Sequence, residues 1–174
     1  MIEILRARRS IRKFERRPIE ADKVALLEEA LLLSPSSRGL RPWRFVFVDR
    51  TELLERLARS RPHGSSFVAG AALAIVVCGD EGVSDIWVED CSIAAIMAQL
   101  AACSLGLGSC WVQIRGRPCS EDKTAEEHVR ETLGLPDDLR VEAVVALGYA
   151  AEAKTPHPRE SLPFDRIWRN GPPR

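Results

Sequence analysis

Apolar and polar positions switch between helical and strand-like spacing along the chain, and turn residues separate the blocks. Residues 2–9 place Ile2, Ile4 and Leu5 on one side of a short helix, and an extended segment runs on to Phe14. Pro18 breaks the chain. Residues 20–33 carry Val24, Leu27 and Leu31 at helical spacing with acids in the first turn, which predicts a helix. Pro35 disfavours helical backbone at Ser34, so the run Ser34-Pro35-Ser36-Ser37 ends it. Residues 44–48 then read as a short strand and residues 51–58 as an amphipathic helix. Residues 61–66 read as a loop, and residues 73–78 as a buried strand closed by Gly79-Asp80.

The second half opens with the most distinctive helix, residues 85–104, which from Cys91 onward is apolar and alanine-rich on every side. Such a helix is buried all round, in a core or against a partner. A chain of 174 residues has little interior in which to hide it, so the pattern points to a subunit interface. Gly106 and Gly108 end the helix, and a strand over 109–114 follows. A helix over 124–133 begins with a Thr124/Glu127 capping box, and 141–149 is the last strand. Beyond Ala150, Pro156, Pro158, Pro163, Pro172 and Pro173 predict an extended tail that frays or lies along another surface. Helices interleaved with a few buried strands predict an α+β or mixed α/β sandwich.

Composition narrows this picture without changing it. The length fits one domain, and 45% apolar with 29% charged residues is an ordinary globular balance. Only 6% of residues are aromatic, so the core must rest on Leu, Val, Ile and Ala. The 25 basic and 25 acidic side chains cancel, which removes any overall pull toward nucleic acid or an anionic membrane. Five cysteines without a CxxC pair predict a reduced cytoplasmic chain. The N-terminus has no apolar signal core, and the apolar stretch 91–103 is too short to span a bilayer. His63, His128 and His157 are scattered, so no metal site is expected.

Charge is nevertheless uneven, with Arg6, Arg8, Arg9, Arg12, Lys13, Arg16 and Arg17 crowded at the N-terminus. At extended spacing Arg8, Ser10 and Arg12 project to one side, offering two guanidinium forks and a hydroxyl to a single anion. Taken alone, such a cluster is more often a solvated basic run. Nucleic-acid contact is opposed by the zero net charge and the lack of interleaved aromatics. The segment 34–43 offers hydroxyls and backbone amides, though by composition it serves equally as a connector; no GxSxG marks a hydrolase elbow. Leu105-Gly106-Leu107-Gly108 makes a tight turn. It follows a helix and precedes a strand, the reverse of a dinucleotide fingerprint. Glu89 and Asp90 suit the N-terminus of the long helix.

Taken in order, these pieces resemble the nitroreductase family, in particular its short members, over nearly the whole chain. Residues 8–14 (Arg-Arg-Ser-Ile-Arg-Lys-Phe) are similar to the family's N-terminal flavin motif, and Ser34-Pro35-Ser36-Ser37 through Pro42-Trp43 to its Ser-Pro-Ser-Ser … Gln-Pro-Trp loop. Glu89-Asp90, residues 106–111 and Leu147-Gly148-Tyr149 follow at approximately the family spacing. The resemblance implies an α+β fold: a three-layer α-β-α sandwich with a central mixed, mainly antiparallel sheet, built as an intertwined homodimer. Residues 1–150 would be the cofactor domain and 151–174 a tail packed on the dimer.

The resemblance also implies FMN as cofactor and NADH or NADPH as co-substrate. Arg8, Arg9 and Ser10 would meet the phosphate, and Arg12 the ribityl chain or pyrimidine edge. Pro35, Ser36, Ser37 and Gly39 would come from the other subunit, and backbone amides near Gln113 and Ile114 would face the flavin N5. His157 and Arg159 stand where the family has a basic pair for phosphate. Gly39 and Arg41 replace the family's usual Asn and Gln, and the loop 61–66 lacks the Asn and Lys of larger members. The implied activity is a ping-pong reduction of nitroaromatics, quinones or a related small acceptor, with no catalytic side chain, no metal, and no nucleic-acid or membrane partner. A non-enzymatic flavin carrier, or a flavin enzyme for another substrate such as a reductive dehalogenase, is the alternative.

Overall fold

In the computed structural model, which describes residues 1–172, four strands pair in the order β1-β2-β4-β3. They are β1 (Trp43–Val48), β2 (Leu73–Asp80), β3 (Gly108–Gln113) and β4 (Leu139–Gly148), and every pairing between them is antiparallel. The parallel pairing found among the described residues is the isolated bridge Ser10–Ser109, so the mixed character of the sheet rests on that bridge.

Alternation of side chains along the strands gives the sheet two apolar faces. Ala74, Val76, Cys78, Val112, Val144 and Ala146 face one way, against Leu54 and Leu57 of α3 (Thr51–Leu57) and Ala125 and Val129 of α5 (Ala125–Leu133). Leu73, Ile75, Val77, Val145 and Leu147 face the other way. They meet Leu27 and Leu31 of α2 (Ala21–Leu32) and the small residues of α4 (Trp87–Ser104). The short α1 (Ile2–Ala7) lies against α4. This is the expected three-layer α-β-α sandwich. One irregularity matters later. Val77 pairs with Ala143 but Cys78 with Val141, so Glu142 is an extra residue, a bulge that keeps Val141 on the α3/α5 face.

Ala94, Ala95, Ala98 and Ala102 are fully buried and let α4 lie close on the sheet. At its start the approach is closer still: a Cβ on Gly79 would lie 2.6 Å from the Trp87 ring. The helix is not covered on every side in one chain, since Ile93 and Ile96 remain 40% and 38% exposed. It also begins two residues later than expected, because Ile86 leaves helical backbone (φ −113°, ψ 32°) in a turn where Trp87 N–H donates to the Ser84 carbonyl at 3.3 Å. The capping box of α5 forms as expected: Glu127 N–H donates to Thr124 Oγ1 at 3.1 Å, and Thr124 N–H to the Glu127 carboxylate at 2.8 Å.

The tail after Ala150 is not extended throughout. Pro158 and Pro163 each lead into a single 3-10 turn, Arg159–Ser161 and Phe164–Arg166, which the proline count alone did not foresee. Leu162, Phe164, Ile167 and Trp168 are exposed along it; Pro173 lies outside the described residues. No helix among the described residues is long and apolar enough to cross a membrane, and no group of His, Cys, Asp and Glu among them could hold a metal.

Candidate functional site

Where α1 ends, Arg8 turns into extended backbone (φ −61°, ψ 125°), and residues 8–15 run as an arm along one end of the sheet. Ile11 N–H donates to the Ser109 carbonyl at 2.9 Å, Glu15 N–H to that of Tyr149 at 2.8 Å, and Ala151 N–H to that of Lys13 at 2.9 Å. Two glycines make room for the arm. A Cβ on Gly108 would stand 2.9 Å from Ile11 Cβ, and one on Gly148 would stand 3.0 Å from the Phe14 ring. With Ile11 buried, alternation turns Ser10 and Arg12 to the opposite side of the arm.

The arm meets the start of the tail there. Lys154 Nζ donates to the Ser10 carbonyl at 2.7 Å. Glu152 Oε1 accepts the Arg12 N–H at 2.5 Å and the Lys13 N–H at 3.1 Å, and lies 3.6 Å from Lys154 Nζ. The Arg12 N–H is the main cause that holds the Glu152 carboxyl below the usual glutamate value. Arg9 is committed to the Thr155 carbonyl. Among the described residues neither the Arg8 nor the Arg12 guanidinium pairs with a carboxylate; that of Arg12 lies 5.7 Å over the Phe67 ring. Arg8, Arg9, Ser109 and Lys154 help to line a cleft of about 140 Å³. The buried Cys110 thiol senses the same charges: burial pushes it up, and Arg12, Lys154 and Arg8 oppose that shift. Arg8 and Lys154 thus share one cleft, and Arg12 projects from the same arm.

A larger cleft of about 570 Å³ lies elsewhere, among Glu15, Arg16, Arg17, Asp49 and Glu55. Its mixed charges offer an anion no convergent donor set.

Sequence pattern alone does not single out Lys154, since the chain bends at Ala151 and Glu152 and only contact with the arm gives it a partner. His157 and Arg159 are exposed further along the tail, Arg159 lying 5.0 Å over the Phe164 ring. Within one chain the structure does not bring them to Arg8, Ser10 or Arg12.

The serine loop is built by α4. Asp90, only 2% exposed, accepts the Ser37 N–H at 2.8 Å, and its second oxygen accepts from the Ser84 hydroxyl at 3.4 Å. Asp90 therefore anchors a loop in addition to standing in the first turn of a helix. Ser36 Oγ accepts the Arg41 N–H at 2.8 Å, and Arg38 pairs with Asp85 at 2.5 Å. Arg38, Gly39 and Arg41 have φ of +53°, +68° and +52°. For the two arginines this left-handed backbone costs on the order of 1 kcal/mol or more each, strain of the kind that gathers at binding loops. Pro35 is exposed, Ser36 and Ser37 are half-buried, and the neighbouring Trp43 indole N–H is buried without an acceptor. Among the described residues no hydrogen bond or ion pair joins this loop to the arm.

At the far end of β3, Ile114 N–H donates to the Glu142 carbonyl at 3.2 Å and its side chain is fully buried. Glu142 is the bulged residue, and its carbonyl accepts from both Ile114 and Arg115. Gln113 is also tied down, accepting from Trp111 Nε1 at 3.0 Å and donating to the Glu142 carboxylate at 3.3 Å. That carboxylate, 3% exposed, also takes Arg115 Nε at 2.9 Å. The buried thiols are inert bystanders. Burial pushes Cys78 up to about 12, and Cys91 higher still.

Comparison with known proteins agrees with this geometry. The profile of the nitroreductase family matches residues 5–61 and 59–149. An FMN-dependent nitroreductase from Clostridium difficile R20291 superposes with a TM-score of 0.97 at 41% identity, over 98% of this chain and 99% of that one. An NADPH:FMN oxidoreductase from Vibrio harveyi, solved with NAD+, gives 0.83 at 28% identity, over 99% of this chain and 78% of that one. A Methanothermobacter thermautotrophicus protein, provisionally named an NADH dehydrogenase/NAD(P)H nitroreductase, is 36% identical over 170 residues, 96% of this chain and 85% of its own.

Proposed function

This chain belongs to the nitroreductase family, and from that premise we propose that it is an FMN-dependent oxidoreductase that uses NADH or NADPH to reduce a small acceptor. The observation that carries the reading is that Arg8 and Lys154 line one cleft beside Ser10, with Arg12 on the same arm and, among the described residues, no carboxylate on either guanidinium. That donor set fits a phosphomonoester, since guanidinium forks and an ammonium are what phosphate oxygens take. The names of the Clostridium difficile and Vibrio harveyi proteins support FMN and a nicotinamide as the redox pair.

FMN, when bound, supplies the hydride and electron transfer. The chain binds it, orients it and sets the charge around it. Arg8 and Ser10 would hold the phosphate, with Arg9 fixing the arm behind them to the tail. Arg12, without an anionic partner, would place positive charge where negative charge develops on reduction, a preorganised electrostatic role. Pro35, Ser36, Ser37 and Gly39 would face the cofactor from a second copy, which accounts for their lack of contact with the arm within one chain. Gln113 would stand at the reacting edge, while Ile114 would serve through its packing and not through its committed amide. His157 and Arg159, exposed on the tail, would reach a phosphate only in the assembled protein. Nitroaromatics and quinones are the generic acceptors, taken in turn with the nicotinamide.

Two features support a homodimer. The single chain exposes 10412 Å², whereas a compact monomer of its mass would expose about 8,500 Å². Ile93 and Ile96 on α4, Leu5 on α1, and Leu162, Phe164, Ile167 and Trp168 on the tail are uncovered apolar side chains. Residues 1–150 would form the cofactor domain, and the tail beyond would pack on the second copy. Five free cysteines support a reducing, cytoplasmic setting.

The test is steady-state oxidation of NADH and NADPH with menadione or a nitroarene as acceptor. Acceptor-dependent turnover that requires FMN is expected. FMN binding without turnover on any acceptor would leave a flavin carrier instead.

A further inference from the structure

We propose that Lys154 is a direct ligand of the cofactor phosphate, and that Glu152 is the positioning residue that presents Lys154 and Arg12 to it. The proposal rests on the FMN reading above and extends it to two residues at the root of the tail.

Among the described residues, Lys154 is the one cation of the tail that hydrogen-bonds to the arm within a single chain. Its ammonium spends one donor on the Ser10 carbonyl at 2.7 Å. An ammonium has three donors, so two remain. Lys154 and Arg8 line the same cleft, and Arg12 projects from the arm that forms its wall. A phosphomonoester in that cleft would meet Lys154 and Arg8. Arg159, further along the tail, lies over the Phe164 ring instead.

Glu152 is the odd member of the group. A carboxylate 3.6 Å from Lys154 repels an incoming anion, so electrostatics alone would disfavour it there. Its oxygen, however, is aimed at backbone. It takes the Arg12 and Lys13 N–H groups, which lie between the Ile11 and Phe14 anchors. It therefore fixes the stretch of arm from which Arg12 projects, and its charge restrains Lys154. The positioning contribution and the repulsion have opposite signs, which makes the roles separable.

The experiment titrates the full-length chain and its variants with FMN and with riboflavin, which differ by the phosphate alone. Flavin fluorescence is the readout, and riboflavin affinity checks that each variant folds. Wild type prefers FMN. Lys154→Met lowers that preference by tenfold or more, the order expected for one charge-assisted contact, with riboflavin binding unchanged. Glu152→Ala also lowers the preference, although it removes a repelling charge. Glu152→Gln, which keeps an acceptor for both N–H groups, matches or exceeds wild type. An unchanged preference in Lys154→Met, or a raised preference in Glu152→Ala, would overturn the proposal. If Arg8→Ala still lowers the preference in that case, the FMN reading stands without this extension. A wild-type chain that binds neither flavin overturns both.

Discussion

Replacing Gly108 with alanine tests the seating of the arm, because the effect can be worked out from one contact. The added Cβ would lie 2.9, 2.9 and 3.0 Å from three carbons of Ile11, closer than carbon atoms pack. Gly108 does not have the left-handed backbone of Gly106 (φ +76°), so alanine there meets no dihedral strain and the cost is steric. Overpacking of this kind costs about 1–3 kcal/mol, against which the lower entropy of the unfolded alanine chain returns about 0.4–1 kcal/mol. The expected net loss is about 1–2 kcal/mol, with the arm pushed from its place beside Ser109. Urea denaturation measures the stability term and flavin titration the site term. In an Ile11→Ala background two of the three clashing carbons are gone, so the same substitution should cost distinctly less, a coupling between the two positions. Gly108→Ala with no effect on stability or FMN affinity, or with the same effect in both backgrounds, would refute the account of how the arm is held.

Arg8→Ala and Arg12→Ala should each weaken FMN by about 1.5–3 kcal/mol, one charge-assisted contact apiece; flavin titration measures it, and unchanged affinity in both would make the cluster a solvated face. Asp90→Ala removes the buried acceptor of the Ser37 N–H and should cost about 1.5–3 kcal/mol. It should also open the segment 35–41 to protease, which limited proteolysis with mass spectrometry would locate. Acid should release the arm. Glu152 titrates below the usual glutamate value in the folded chain, so its anchoring is fully present above that value and is lost as pH falls through the lowered one. Resistance to urea should fall over that range in wild type, whereas Glu152→Gln, which has no carboxylate to protonate there, should show no such step.

Local chemistry made much of this fold legible in the sequence. The period of α2, the alanines of α4 and the Thr124/Glu127 box each depend on residues within a turn or two, and each appears where the pattern placed it. Contacts between distant segments left no such trace. Gly106 and Gly108 both look like turn residues, yet Gly106 makes the turn and Gly108 receives Ile11 from far along the chain. Asp90 suits a helix N-terminus, and nothing local says that it holds Ser37, 53 positions away. The bulge at Glu142, whose carbonyl takes the Ile114 and Arg115 N–H groups, follows from the register between strands. Lys154 is a lone lysine until the arm is laid against it.

The central claim is that the arm, the serine loop and the tail together make an FMN site. The most direct measurement is the visible spectrum of the purified full-length chain after incubation with FMN and removal of unbound cofactor. The account predicts a yellow protein with an absorbance band near ~450 nm, the usual flavin position, that bleaches on anaerobic addition of NADH or NADPH. A colourless protein that takes up no FMN would contradict it.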